Sequence, residues 1–133
     1  MELEHVGIAV KSLEQSIPVF EKLLGTACYK TETVESEQVR TAFLSGGPVK
    51  VELLETASCG NSLSRFLEKR GEGIHHIAFE VADIRAEMRR LEAEGFELLD
   101  REPKPGADDR LICFLHPKDV HGVLVELCQR RSG

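Results

Sequence analysis

A chain of 133 residues and 14.8 kDa has the size of one globular domain and can bury a core of its own. Its 17 basic and 23 acidic residues leave a formal charge of -6, so there is no general positive field and nucleic acid is excluded as a partner. No run of about 18 apolar residues is present to span a membrane, and Met1-Glu2-Leu3-Glu4-His5 lacks the basic and apolar regions of an export signal. A cytoplasmic protein is expected. Cys28, Cys59, Cys113 and Cys128 stand far apart without a C-x-x-C pair, which reads as idle thiols in a reducing compartment.

In chain order, Val6, Ile8 and Val10 alternate with His5, Gly7 and Ala9, a period-two strand with a bulky face and a small-residue face that holds the histidine. Ile17, Phe20, Leu23 and Leu24 follow at helical spacing, opened by Ser12 as N-cap and stopped by Gly25. Strands are predicted at 27–33, 39–44 and 49–55, the last two separated by Gly46-Gly47-Pro48. A connector with a short helix at 62–70 leads to Gly71-Glu-Gly73. A second strand then starts at His76, and Ile84, Met88 and Leu91 mark a helix opened near Asp83 and ended by Gly95. Strands are predicted at 97–100, 111–116 and 123–127. Arg85, Arg89 and Arg90 with Glu87, Glu92 and Glu94 read as a solvated helix face, and Arg130-Arg131 as a frayed end.

The order strand, helix, three strands occurs twice, and the two halves resemble each other residue by residue. His5-Val-Gly-Ile-Ala-Val10 matches His76-Ile-Ala-Phe-Glu-Val81 at a shift of 71 (76 minus 5), while Val49-Lys-Val-Glu-Leu-Leu54 matches Val123-Leu-Val-Glu-Leu-Cys128 at a shift of 74 (126 minus 52). The fold class expected is α+β: two tandem βαβββ modules forming curled mixed sheets around a metal-containing cleft. One domain, 1–133, comprises module one at 3–58, a connector at 59–73 and module two at 74–129.

His5 and His76 occupy equivalent places in this repeat, as do Glu52 and Glu126. Each glutamate lies within an apolar run, where an unpaired ionised carboxylate is costly. A divalent cation held by His5, Glu52, His76 and Glu126 would supply the missing charge. Two imidazoles and two carboxylates suit Mn, Co, Ni, Fe or Zn, with positions left open for substrate oxygens. The bland alternative is two hydrogen-bonded histidines and two solvent-facing glutamates, and the repetition of all four argues against it. His75 falls on the opposite side of its strand and is read as a structural residue, or one that supports a ligand, rather than a ligand itself.

Glu4-His5-Val6, His75-His76-Ile77-Ala78-Phe79 and Val123-Leu-Val-Glu126-Leu resemble the vicinal oxygen chelate superfamily across the whole chain. Gly73-Ile-His-His-Ile-Ala-Phe-Glu-Val81, Glu102-Pro-Lys-Pro-Gly106 and Phe114-Leu-His-Pro-Lys118 resemble its methylmalonyl-CoA epimerases. That resemblance implies an isomerase that interconverts (R)- and (S)-methylmalonyl-CoA by C2 proton abstraction and reprotonation through a metal-stabilised enolate. Glu126 would serve as ligand and base together. It implies one divalent metal ion (Co, Mn, Ni or Zn), an acyl-CoA partner and a homodimer. A second carboxylate expected on the strand at 39–44 is not found, its position falling near Thr41. His116 and Lys118 are candidate anchors for the substrate carboxylate or the CoA phosphates, or else parts of a solvated turn. Departures from the family pattern are Asp108-Asp109, where a Gly-Gly pair is common, and His121 before Gly122. Alternatives within the superfamily are a glyoxalase-type isomerase and a ligand-sequestering resistance protein.

Overall fold

The computed structural model describes residues 1–131. Among them are β1 (Glu2–Ala9), α1 (Leu13–Leu24), β2 (Lys30–Val34), β3 (Val39–Gly46), β4 (Val49–Thr56), α2 (Ser62–Arg70), β5 (Gly73–Glu80), α3 (Ile84–Ala93), β6 (Lys104–Gly106), β7 (Arg110–Leu115) and β8 (Val125–Arg130). The expected βαβββ pattern therefore occurs twice, with α2 between. No helix among the described residues is long and apolar enough to cross a membrane. The chain divides into two compact units, His5–His75 and Met1–Glu4 together with the segment from His76 onward.

In the first unit the strand order is β2-β3-β4-β1, with β1 and β4 parallel and the other pairs antiparallel. Strand alternation divides its side chains between two faces. Val10, Ala42, Leu44 and Leu53 pack with Leu13, Ile17, Phe20 and Leu24 of α1. The opposite face carries His5, Gly7, Thr41, Phe43 and Glu52. Leu53 is fully buried, so its truncation to alanine should cost about 2–5 kcal/mol.

The second unit repeats the arrangement in the order β5-β8-β7-β6, with β5 and β8 parallel. Ile84, Met88 and Leu91 of α3 pack with Val81, Cys113, Leu115, Val125 and Leu127. His76, Ala78, Phe114 and Glu126 occupy the other face. A network around Arg110 ties Glu4 into this unit: the buried guanidinium lies 3.5 Å from the Glu4 carboxylate, 3.9 Å from Asp108, and hydrogen-bonds Glu80.

The helix starts show the repeat at finer grain. Ser12 Oγ accepts from Gln15 N and Asp83 Oδ1 from Ala86 N, the N-caps expected from sequence, each worth about 1 kcal/mol. The first helical amides are taken by residues at the end of the fourth strand of each half. Leu13 N donates to Glu55 Oε1 (2.9 Å) and Ile84 N to Gln129 Oε1 (2.7 Å), and these two acceptors are also 74 apart (129 minus 55).

Several boundaries differ from the sequence reading. The strand expected at 97–100 is a single bridge, Leu98 to Leu115, and the third ladder of the second half runs instead through Lys104–Gly106. The first strand after α1 begins at Lys30, because Cys28 N turns inward to Glu21 Oε2. α3 ends at a right-handed Glu94 cap, with Gly95 taking the positive φ one residue later. Arg130 is no frayed end: it closes β8 opposite Arg110. Two 3-10 turns, Glu35–Glu37 and Pro117–Val120, were unforeseen. The residues that depart from the family pattern share one feature. Asp108, Asp109 and His121 all adopt left-handed φ values of 60°, 52° and 55°, where glycine is at ease and aspartate and histidine are among the more tolerant replacements.

Candidate active site

In the first half Glu52 sits in register between Gly7 of β1 and Phe43 of β3. The glycine leaves room on one side and the ring walls the other. His5, on the same face of β1, brings Nε2 to 3.4 Å from Glu52 Oε2, and both residues are more than nine-tenths buried. In the second half Glu126 sits between Ala78 of β5 and Phe114 of β7, the equivalent neighbours. His76 Nε2 lies 3.5 Å from Glu126 Oε1, again with both residues buried, and the Phe114 ring stands edge-on to the imidazole at 5.8 Å.

These spacings test whether the residues suit a metal ion. A neutral hydrogen bond between imidazole and carboxylate usually closes to about 2.7–3.2 Å. Two donors bound to one ion at about 2.1 Å stand roughly 3.0–3.4 Å apart at octahedral or tetrahedral angles. The observed 3.4 and 3.5 Å leave each imidazole and carboxylate close enough to serve as neighbouring ligands. Buried nitrogen and carboxylate oxygen donors are also the chemistry that Mn, Co, Ni, Fe and Zn accept. His5 with Glu52 in the first unit, and His76 with Glu126 in the second, each present a buried imidazole nitrogen beside a buried carboxylate oxygen.

The remaining expected residues are held locally. His75 is packed edge-on to Phe66 at 4.9 Å, and burial lowers its pKa to about 4, so it is a neutral packing residue, as its place on the strand implied. His116 caps the Pro117–Val120 turn, its Nδ1 accepting from Lys118 N at 3.1 Å. Lys118 reaches Glu97 at 2.8 Å on the surface. The bond and its charge hold the Glu97 carboxyl below its ordinary value and raise the Lys118 ammonium above its own. Thr41 is buried and donates its hydroxyl to the Glu32 carbonyl, so the expected second acid/base is no side chain at that position.

Sequence reasoning missed the two phenylalanines and the lysines over them. Lys30 Nζ lies 5.6 Å above Phe43 and Lys104 Nζ 5.7 Å above Phe114. A signal was present: Phe43 and Phe114 are 71 apart (114 minus 43), and Lys30 and Lys104 are 74 apart (104 minus 30), the two shifts of the repeat.

A mixed α+β chain of two βαβββ halves, each with a buried histidine and glutamate on the face turned away from its helix, defines a fold class shared with known proteins. The chain belongs to the Glyoxalase/Bleomycin resistance protein/Dioxygenase superfamily, which residues 4–114 match. It is 40% identical over 129 residues to the ethylmalonyl-CoA/methylmalonyl-CoA epimerase of Cereibacter sphaeroides, covering 96% of each chain. It is 41% identical over 130 residues to the uncharacterized protein YqjC of Bacillus subtilis (strain 168), covering 98% of this chain and 93% of that one. The crystallised Streptomyces coelicolor methylmalonyl-CoA epimerase, a variant in complex with 2-nitronate-propionyl-CoA, superposes with a TM-score of 0.93 at 36% identity and 99% coverage of both chains.

Proposed function

We propose that this chain is a metal-dependent isomerase that interconverts the (R) and (S) epimers of methylmalonyl-CoA, its two halves acting as one domain with His5, Glu52, His76 and Glu126 as ligands of a single divalent ion. The observation that carries the proposal is the buried histidine–glutamate pair, present once in each half at equivalent places. The epimerases among the relatives, and the acyl-CoA analogue bound to one of them, support the choice of substrate.

The C2 hydrogen of the substrate lies between a thioester and a carboxylate, so its loss as a proton leaves an enolate. A divalent cation held by His5, Glu52, His76 and Glu126 would supply the positive charge that stabilises the enolate. Glu126 takes the C2 proton at a carboxylate oxygen on one face of the enolate and gives it up to solvent, while a proton delivered to the opposite face completes the inversion. Ala78 and Phe114 flank that carboxylate and keep it dry. His116 and Lys118, on the turn before β8, are proposed to meet the CoA phosphates, Lys118 exchanging Glu97 for them. A homodimer belongs to this proposal and is checked by light scattering.

Deuterium exchange at C2 of methylmalonyl-CoA, followed by proton NMR in D2O with metal-loaded protein, tests the reading against the glyoxalase alternative. Metal-dependent exchange is expected, with little conversion of a methylglyoxal–glutathione adduct. Fully metallated protein that exchanges no hydrogen would falsify the epimerase reading. Tight binding of the substrate without exchange points instead to a sequestering protein.

A further inference from the structure

We propose that Lys104 is a specificity residue: it holds the carboxylate at the acyl end of the substrate and so selects carboxylated thioesters over uncharged ones. This rests on the function proposed above.

Lys104 begins β6 on the face that carries His76, Phe114 and Glu126, in register with Ile112. Its ammonium lies 5.7 Å above the Phe114 ring. That ring is in turn edge-on to His76 at 5.8 Å and opposite Glu126 in the β7–β8 ladder. A single aromatic ring therefore separates this cation from the histidine–glutamate pair. Lys104 is also held in place from behind. Asp100 Oδ1 lies 3.2 Å from its Nζ, while Asp100 Oδ2 accepts from the Phe114 amide at 2.9 Å, so the acid that orients the lysine is anchored to the same strand.

The chemistry calls for such a group. A malonyl-type acyl end brings its own negative charge toward the Glu126 carboxylate, and like charges at close range disfavour binding. An ammonium on the ring beside that carboxylate offsets the repulsion for a carboxylated acyl group and offers nothing to an uncharged one. Lys118, by contrast, is engaged with Glu97 on the surface, its side chain 57% exposed against 37% for Lys104. The first half carries the same construction, Lys30 over Phe43 opposite Glu52. The second half is the one that holds the proposed base.

Calorimetric titration of the metal-loaded protein with methylmalonyl-CoA and, separately, propionyl-CoA tests this. Wild type is expected to favour methylmalonyl-CoA, and Lys104→Met to weaken it about tenfold, as for the loss of one charged contact, while leaving propionyl-CoA unchanged. Lys104→Arg should restore most of the preference. The proposal is overturned if Lys104→Met weakens both thioesters alike, if it changes neither, or if wild type shows no preference or binds neither. A Lys104-dependent preference in a protein that exchanges no C2 hydrogen would sink the epimerase reading and leave this one standing.

Discussion

Glu126 stands directly across the β7–β8 ladder from Phe114, so the carboxylate proposed as base faces an aromatic wall on one side and the methyl of Ala78 on the other. Gln in its place keeps the shape and removes the proton acceptor. Glu126→Gln should lower C2 exchange by about 10²–10⁴-fold with a modest loss of bound metal, whereas His76→Ala should lose the metal itself. Exchange rates and metal content by elemental analysis are read together. Wild-type exchange by either variant removes the role assigned here.

Arg110 is the cationic centre of a buried network. Burial works against its charge, but the hydrogen bond it donates to Glu80 and the nearby Glu4 carboxylate hold its pKa above the ordinary arginine value. Arg110→Met would leave Glu4 buried beside an apolar side chain, a change expected to cost about 3 kcal/mol in urea unfolding. Adding Glu4→Gln to that variant should recover part of the loss. Strict additivity of the two changes contradicts the pairing.

Gly46, at the end of β3, has no space for a side chain. A Cβ there would lie 2.6 Å from the Val49 carbonyl oxygen, a backbone atom that cannot swing aside. Gly46→Ala should therefore destabilise the first half by about 1–3 kcal/mol, seen as a lower thermal midpoint. An unchanged midpoint means that the β3–β4 turn has another geometry in solution.

The four thiols should differ in reactivity. Cys59 is exposed, while Cys113 is fully buried and burial pushes its pKa up to about 11. At pH 8 only about one Cys113 in a thousand is the reactive thiolate. Peptide mapping after brief iodoacetamide treatment should find Cys59 modified and Cys113 untouched until denaturant is added. Early labelling of Cys113 contradicts its packing beneath α3.

The Lys118–Glu97 pair predicts a pH signature. The native carboxyl titrates below its ordinary value of 4.5, so the native state holds Glu97 ionised more firmly than the unfolded chain does. Any stabilisation is complete above 4.5 and disappears as pH falls through the lowered native value. Because both side chains are exposed to water, the effect belongs in a carbon-13 NMR titration rather than an unfolding curve. Lys118→Met should move the Glu97 midpoint up to about 4.5. A midpoint that ignores the substitution shows that the pair does not persist in solution.

Much of this architecture can be read from residue order, because duplication repeats each signal. His5 and His76, or Glu52 and Glu126, are ambiguous singly and informative as pairs, and the same shifts of 71 and 74 mark the strands, helices and caps around them. What stayed hidden depends on contacts between residues distant in sequence. Lys104-Pro105-Gly106 has poor strand propensity and pairs only because β7 offers it a ladder, while the more apolar 97–100 segment gains a single bridge. Asp108-Asp109 and His121 looked like anomalies until their left-handed backbone showed what they replace. The Lys–Phe contacts escaped notice because register sets them, and register depends on where each turn closes.

The border strand β6 has a further consequence, for behaviour at high concentration. It is three residues long, and Pro105 at its centre has no amide to lend. An incoming strand from another molecule finds too few main-chain donors there to begin a ladder, a recognised safeguard against runaway stacking. Strand addition at this border is accordingly blocked, and exchanging Pro105 for a β-branched residue would open a margin prone to recruit neighbours.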